Sequence, residues 1–208
     1  MKVMLLNGSP NQNGCSATAL EEIRSTLTAE GIESETVWIG KKPIAGCIAC
    51  GYCYKAGKCV FADDKVNETA EKFQECDGLI VASPVHYAAA GGAITSFLDR
   101  FFYSCNKEEL RLKPAASVVS CRRGGAVGAF DQLNKYFTIS EMPVVSASYW
   151  NQVHGNTPDE VRQDLEGMRT MRVLAKNMAY LLKALDLAKS GGLECPEAEP
   201  RIMTNFIR

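Results

Sequence analysis

The chain has 208 residues, 46% of them hydrophobic and 23% charged, with a formal net charge of -1. That length and composition suit one domain with a core large enough to stand without disulfide staples. The small net charge argues against nucleic acid or an anionic membrane as the main partner, and no apolar run approaches the ~20 residues that a bilayer span needs.

In chain order, Val3 to Leu6 reads as a strand buried on both faces, and it runs into a polar, glycine-containing turn from Gly8 to Ala17. A helix follows from about Ser16 to Glu30, with Gly31 as its stop. Glu35 to Ile39 is a weaker strand suited to a sheet edge. Residues 40 to about 62 form an irregular, cysteine-rich loop of a length that is usually functional. Asp63-Asp64 caps a helix bearing Val66, Ala70 and Phe73. Gly78 to Ala82 is the most apolar strand and leads into the loop Ser83-Pro84-Val85-His86-Tyr87. A helix carrying Ile94, Phe97, Leu98 and Phe101 comes next. Ala115 to Ser120 is the fourth strand, ending at Cys121-Arg122-Arg123-Gly124-Gly125, and a helix spans about Ala126 to Phe137. Val144 to Ala147 is the fifth strand. Thr157-Pro158-Asp159-Glu160 opens one long last helix through Leu185, with Thr157 as N-cap and Glu160 completing a capping box. The tail after about residue 190 has no periodicity.

Strands alternating with helices over residues 1–208 predict a single α/β domain with a doubly wound five-stranded parallel sheet, order 2-1-3-4-5, and a ligand at the carboxyl ends of strands one and three. With only a few apolar residues before Asn7, the start of the chain does not read as a signal peptide, so the expected location is cytoplasmic.

The turn from Ser9 to Ala17 has neither the G-x-G-x-x-G pattern nor a Walker A lysine. It is either an anion site at a helix start, where free N–H groups and the dipole attract phosphate, or a plain strand-to-helix turn. The loops at Ser83–Tyr87 and Cys121–Gly125 emerge on the same sheet edge. Together the three describe a site for a flat, monophosphorylated ligand, with Gly124-Gly125 allowing close backbone approach.

Gly8-Ser9-Pro10 with Gly14 and Ser16, Ser83-Pro84-Val85-His86-Tyr87, and Phe97-Leu98-Asp99-Arg100 together resemble the NAD(P)H-dependent FMN reductases of the flavodoxin-like superfamily. The resemblance covers Met1 to about Leu187. It implies that Ser9, Asn11, Ser16 and Ala17 hold the FMN phosphate. It places Pro84, Val85, His86 and Tyr87 on one side of the flavin, and Arg123 and Gly124 on the other. It further implies NADPH or NADH as electron donor, a small-molecule acceptor such as a flavin or quinone, and a homodimer or homotetramer. Position 86 is often tyrosine in the family.

Nine cysteines without an export signal point to metal or redox chemistry ahead of disulfides. Four of them, Cys47, Cys50, Cys53 and Cys59, fall within thirteen residues, an interval that lets one loop wrap a single centre of soft ligation. The spacing resembles the motif of the iron–sulfur flavoproteins, a branch of the same superfamily that carries a [4Fe–4S] cluster beside FMN. Zinc and free thiols are the alternatives. The branch implies a second function, electron transfer with a ferredoxin-like protein. A third is a flavin-binding regulator without activity. Cys15, in the turn, reads as a small filler. Tyr149-Trp150-Asn151 through His154-Gly155 reads as a wall of the substrate site, a subunit contact or a plain surface loop.

Overall fold

Alternate residues of each central strand enter two different apolar clusters: Val3, Leu5, Ile80, Ala82 and Val118 lie in one, and Met4, Leu6, Leu79, Val81 and Val119 in the other. A period of two in an apolar run is what a sheet covered on both faces requires. The computed structural model describes residues 1–200, 202–204 and 206.

The elements are β1 (Lys2–Asn7), α1 (Cys15–Ala29), β2 (Glu33–Trp38), α2 (Tyr52–Ala56), α3 (Val66–Gln74), β3 (Gly78–His86), β4 (Ala89–Ala90), α4 (Gly92–Ser104), α5 (Lys107–Leu110), β5 (Ala115–Cys121), α6 (Ala126–Thr138), β6 (Gln152–His154), α7 (Pro158–Gln163) and α8 (Leu165–Ser190). The sheet order is β2-β1-β3-β5-β6, all parallel, and β4 folds back antiparallel on β3. With the β4 arm set aside, the parallel strands follow the expected 2-1-3-4-5 order, and β2 is the expected edge. Phe73 of α3, Phe97 and Phe101 of α4, and Leu133 and Phe137 of α6 cover one face. Ile23 and Leu27 of α1, Val161 of α7, and Leu174 and Met178 of α8 cover the other. No helix among the described residues is long and apolar enough to cross a membrane.

Four elements differ from the sequence reading. First, the third strand does not end at Ala82. It continues through Pro84 to His86, paired with β5 as far as Ser120, and turns at Tyr87-Ala88 into β4. β1 pairs no further than Ala82, so Pro84 has no β1 partner to lose, and a proline is tolerated there. Tyr87 and Ala88 have φ of 51° and 59°, the two left-handed positions of a tight hairpin turn.

Second, Val144–Ala147 is not a strand. Val144 makes one isolated bridge with Ala115. The chain then leaves the sheet and returns as β6, where Gln152 to His154 pair with Val119 to Cys121. Val145 and Val153 are both buried, so the apolar signal is split between two short pieces on one edge.

Third, the last helix is broken at Asp164. Its backbone (φ -74°, ψ 79°) leaves the helical region, while its side chain accepts from Gly167 N–H at 2.9 Å and so starts α8 afresh. Thr157 is the N-cap of α7, as read, with its hydroxyl accepting from Glu160 N–H at 3.2 Å. The Glu160 carboxylate reaches the Asn156 N–H at 2.7 Å, one residue before the cap.

Fourth, the cysteine loop contains a single helical turn, α2, between Gly51 (φ 69°) and Gly57 (φ 65°). The N-cap of α3 is Lys65, although the Asp64 carboxylate does accept from Val66 N–H at 3.1 Å. The tail beyond Gly192 is irregular and exposed where described, and Arg111 donates to the Pro196 carbonyl at 2.6 Å.

Candidate functional site

The turn after β1 is built from its own polar groups. Asn7, the polar residue that ends an apolar strand, accepts from Ser9 N–H at 3.0 Å and donates to the Gln12 carbonyl at 3.1 Å. The Ser9 hydroxyl accepts from Asn11 N–H at 3.1 Å, and Trp38 donates its indole N–H to the Ser9 carbonyl at 2.7 Å. Gly8 is required here: a Cβ would stand 2.6 Å from Ile94 Cβ and 2.9 Å from the Ala82 carbonyl oxygen. No side chain caps α1 at Gly14, so the first-turn N–H groups, including those of Ser16 and Ala17, face the turn. Ser9 and Ser16 are buried, Ala17 is half-buried and Asn11 is exposed. An open cleft of about 550 Å³ runs past Asn11 to Cys15 and is bounded by Trp38, Lys41 and Asn156 to Pro158.

Two contacts bring the other loops to the same end of the sheet. The hydroxyls of Ser16 and Ser120 lie 2.9 Å apart, tying the start of α1 to the end of β5. The hairpin tip packs on the start of α6: a Cβ at Gly125 would stand 2.8 Å from Ala88 Cα, and one at Gly128 2.5 Å from the Ala88 carbonyl oxygen. Pro84 and Val85 are half-buried in β3, whereas His86, Tyr87, Arg123 and Gly124 are exposed, Tyr87 completely. The loops holding Ser9–Ala17, Pro84–Tyr87 and Arg123–Gly124 thus meet around the carboxyl end of β5.

The Trp150 segment divides. Tyr149 and Trp150 pack edge to face at 4.9 Å just before β6 and are half-exposed. His154 and Gly155 belong instead to the carboxyl edge, where the Cys15 thiol donates to the Gly155 carbonyl at 3.6 Å and Cys121 Sγ lies 3.5 Å from His154 Nδ1. Asn151 is buried, with neither amide atom partnered among the described residues. Burial pushes the Cys15 and Cys121 thiols up; Cys15 itself is half-buried and borders the open cleft.

The four clustered cysteines line one cavity of about 100 Å³ together with Phe61, Tyr103 and Arg100. Cys47 and Cys50 are exposed, and Cys53 and Cys59 half-buried. Burial first, and then the neighbouring thiols of Cys47, Cys50 and Cys59, hold the Cys53 thiol above its ordinary value. Among the described residues, no three acidic, histidine or cysteine side chains gather tightly enough to hold a single metal ion.

Cys59 is held more firmly than the other three. Asn67 of α3 accepts from its N–H at 2.8 Å and donates to its carbonyl at 3.0 Å. Arg100 of α4 donates from Nε to its sulfur at 3.1 Å. Sequence reading gave no site role to Asn7, Trp38 or Ser120, and took Asp64 only as a helix cap and Arg100 only as part of a family motif. The signal for Arg100 is its place three residues after Phe97, on the buried face of an apolar helix.

A match to the NADPH-dependent FMN reductase family spans residues 1–157. The chain belongs to this family. An iron–sulfur flavoprotein of Methanocaldococcus jannaschii is 32% identical over 192 residues, covering 89% of this chain and 99% of that protein. Among solved structures, RosB with a bound 8-demethyl-8-formylriboflavin-5'-phosphate intermediate superposes with a TM-score of 0.71 at 16% identity, over 100% of this chain and 92% of that one. An archaeal flavodoxin superposes with a TM-score of 0.57 at 14% identity, over 88% of this chain and 99% of that one. These last two are likenesses of fold. The fold is flavodoxin-like, and the chain is an FMN flavoprotein oxidoreductase.

Proposed function

We propose that this member of the family takes electrons from NADPH or NADH through FMN and passes them to a small acceptor such as a flavin or quinone. The uncapped start of α1, facing a turn in which the Asn7 and Ser9 side chains are already engaged by the turn's own backbone, is the observation that carries the reading. A dianionic phosphate supplies the acceptors those N–H groups lack. Ser9, Asn11, Ser16 and Ala17 hold the phosphate. Pro84, Val85, His86 and Tyr87 border the flavin on one side, and Arg123 and Gly124 on the other, where Arg123 adds positive charge. FMN, when bound, supplies the redox chemistry itself. The chain supplies position, and no side chain is assigned as acid or base. The wholly exposed Tyr87, left unsupported by its own chain, favours completion of the site by a second copy in a dimer or tetramer.

The test is anaerobic addition of NADPH or NADH to the FMN-loaded chain, following the loss of flavin absorbance, with steady-state kinetics in a second step. The expected result is reduction by at least one nicotinamide and ping-pong kinetics. Reduction by neither overturns NADPH and NADH as the donors and leaves the electron-transfer reading below or a flavin-binding regulator.

A second reading concerns the cysteine loop, with a specific observation in its favour. Four thiols border one small cavity, an arginine N–H is aimed at one sulfur, and the spacing is too open for a single ion. An iron–sulfur cluster, with more than one metal atom to span that spacing, suits such a set better than zinc. The curated relative's name points the same way. A ferredoxin-like protein is then the electron-exchange partner. Iron and sulfide analysis of anaerobically prepared protein tests this, with Cys50→Ser as control. Absence of both from the wild type refutes it.

A further inference from the structure

Arg100 is the largest fully buried side chain among the described residues, with 1% of it exposed, and it belongs to neither apolar cluster. Its guanidinium forks onto Asp64, with one bond to Oδ1 at 3.1 Å and a second to Oδ2. Its remaining donors go to the cysteine loop: the Ala45 carbonyl at 3.3 Å, the Phe61 carbonyl at 3.3 Å and Cys59 Sγ at 3.1 Å. The Phe61 ring lies 5.0 Å from its central carbon. Every polar contact of this side chain is therefore made with the loop or with Asp64 at its end. A buried cation is costly unless it is paired, and a planar fork of five donors is the group that can grip a carboxylate and still point one N–H elsewhere.

We propose that Arg100, oriented by Asp64, is the positioning residue of the four-cysteine centre: it fixes Cys59 as the preformed ligand and donates a charge-assisted hydrogen bond to its sulfur. The proposal rests on the cluster reading of the loop. Cys47 and Cys50 are exposed and contact no such clamp, so the centre assembles onto Cys59 and Cys53 and draws the other two in. Hydrogen bonds to ligating sulfur and nearby positive charge favour the reduced, more negative state of an iron–sulfur centre. Arg100 therefore raises the midpoint potential as well as the retention of the metal.

The experiment is anaerobic reconstitution of the full chain with iron and sulfide, comparing wild type, Arg100→Lys, Arg100→Gln, the double variant Arg100→Met/Asp64→Asn, and Asn67→Ala. The readouts are iron and sulfide per chain, the rate of iron loss to a chelator, the midpoint potential, and FMN content with thermal melting as controls of folding. The double variant leaves no unpaired buried charge, which keeps the test open if Arg100→Gln fails to fold. Expected are a roughly 10- to 100-fold loss in metal retention and a downward shift of potential in Arg100→Gln and the double variant. FMN content should be kept. Arg100→Lys should restore part of the potential, because the charge remains while the fork is lost. Asn67→Ala should weaken retention without shifting the potential, since it loosens Cys59 but leaves the guanidinium. An unchanged potential in folded Arg100→Gln or double variants that hold iron overturns the role of Arg100 alone. A wild type that takes up no iron or sulfide overturns the cluster reading and this proposal with it.

Discussion

Ser16 Oγ and Ser120 Oγ lie 2.9 Å apart, both buried, and fasten the first turn of α1 to the last turn of the ladder in β5. This contact adds a polar tie between the helix start and the sheet to the apolar packing of Ala19, Leu20, Ile23 and Leu27. Ser120→Ala leaves the Ser16 hydroxyl without its partner, a cost of about 1–3 kcal/mol for a buried polar group. Ser120 itself is not among the residues assigned to the phosphate. Fluorescence titration of apo-protein should therefore show FMN bound several-fold more weakly, with a modest fall in unfolding midpoint. Unaltered affinity would mean that the turn holds its shape without β5.

Gly8 meets Ile94 and the Ala82 carbonyl at distances no Cβ tolerates. Its N–H also donates to that carbonyl at 2.8 Å, so the backbone has no freedom to retreat. Gly8→Ala is expected to cost about 1–3 kcal/mol through overpacking. Urea unfolding measures this, and a wild-type midpoint would show that Ile94 moves aside.

Asp164 serves two elements at once. One carboxylate oxygen caps α8 through Gly167 N–H, and the other accepts from His154 N–H of β6 at 2.7 Å. Asp164→Ala removes both, and the expected loss is about 2 kcal/mol, the upper end of the range for a cap. Asp164→Asn keeps one acceptor and should recover part of it. Equal losses for the two variants, measured by denaturant melts, would show that one neutral acceptor recovers nothing and that both carboxylate oxygens are needed at this break.

Burial, ahead of the Glu109 charge, pushes the Cys105 thiol up to about 12. A thiol is alkylated as the thiolate, so at pH 8 Cys105 should react far more slowly than exposed Cys195. The sign for stability follows. The folded state holds this proton more tightly than the unfolded chain, whose thiol has the ordinary value of 9.0. The contribution of Cys105 is therefore complete below about pH 9 and is lost as pH rises toward about 12. Peptide-resolved alkylation and a Cys105→Ser comparison of stability against pH check both. Equal labelling of Cys105 and Cys195 in the folded chain would overturn the assignment.

The strand order, the two covered faces and the three loops at one sheet end were legible from the residues, because apolar runs such as Met4–Leu6 and Leu79–Ala82 carry a strong local signal. What was not legible depends on partners distant in sequence. Pro84 reads as a strand breaker, yet it continues β3 because β1 has already ended beside it. Val144-Val145 reads as a strand, yet the length of edge along β5 is shared with Gln152 to His154. Asp164 reads as one more polar residue of an amphipathic helix, and only its bond to β6 reveals the break. In the site, the serines and the turn were legible from composition. Trp38 was not, since its role depends on the register that sets it opposite Asn7.

The two-piece edge beside β5 also governs how copies of this chain can meet. A second molecule can extend a sheet only along a continuous row of free N–H and carbonyl groups, and the detour from Ser146 to Trp150 interrupts that row. On the opposite border, β2 carries Glu33 and Glu35, the latter engaged by Lys2 at 2.7 Å and Lys72 at 3.3 Å, which sets charge where an added strand would lie. Both rims are thereby closed to strand-by-strand growth.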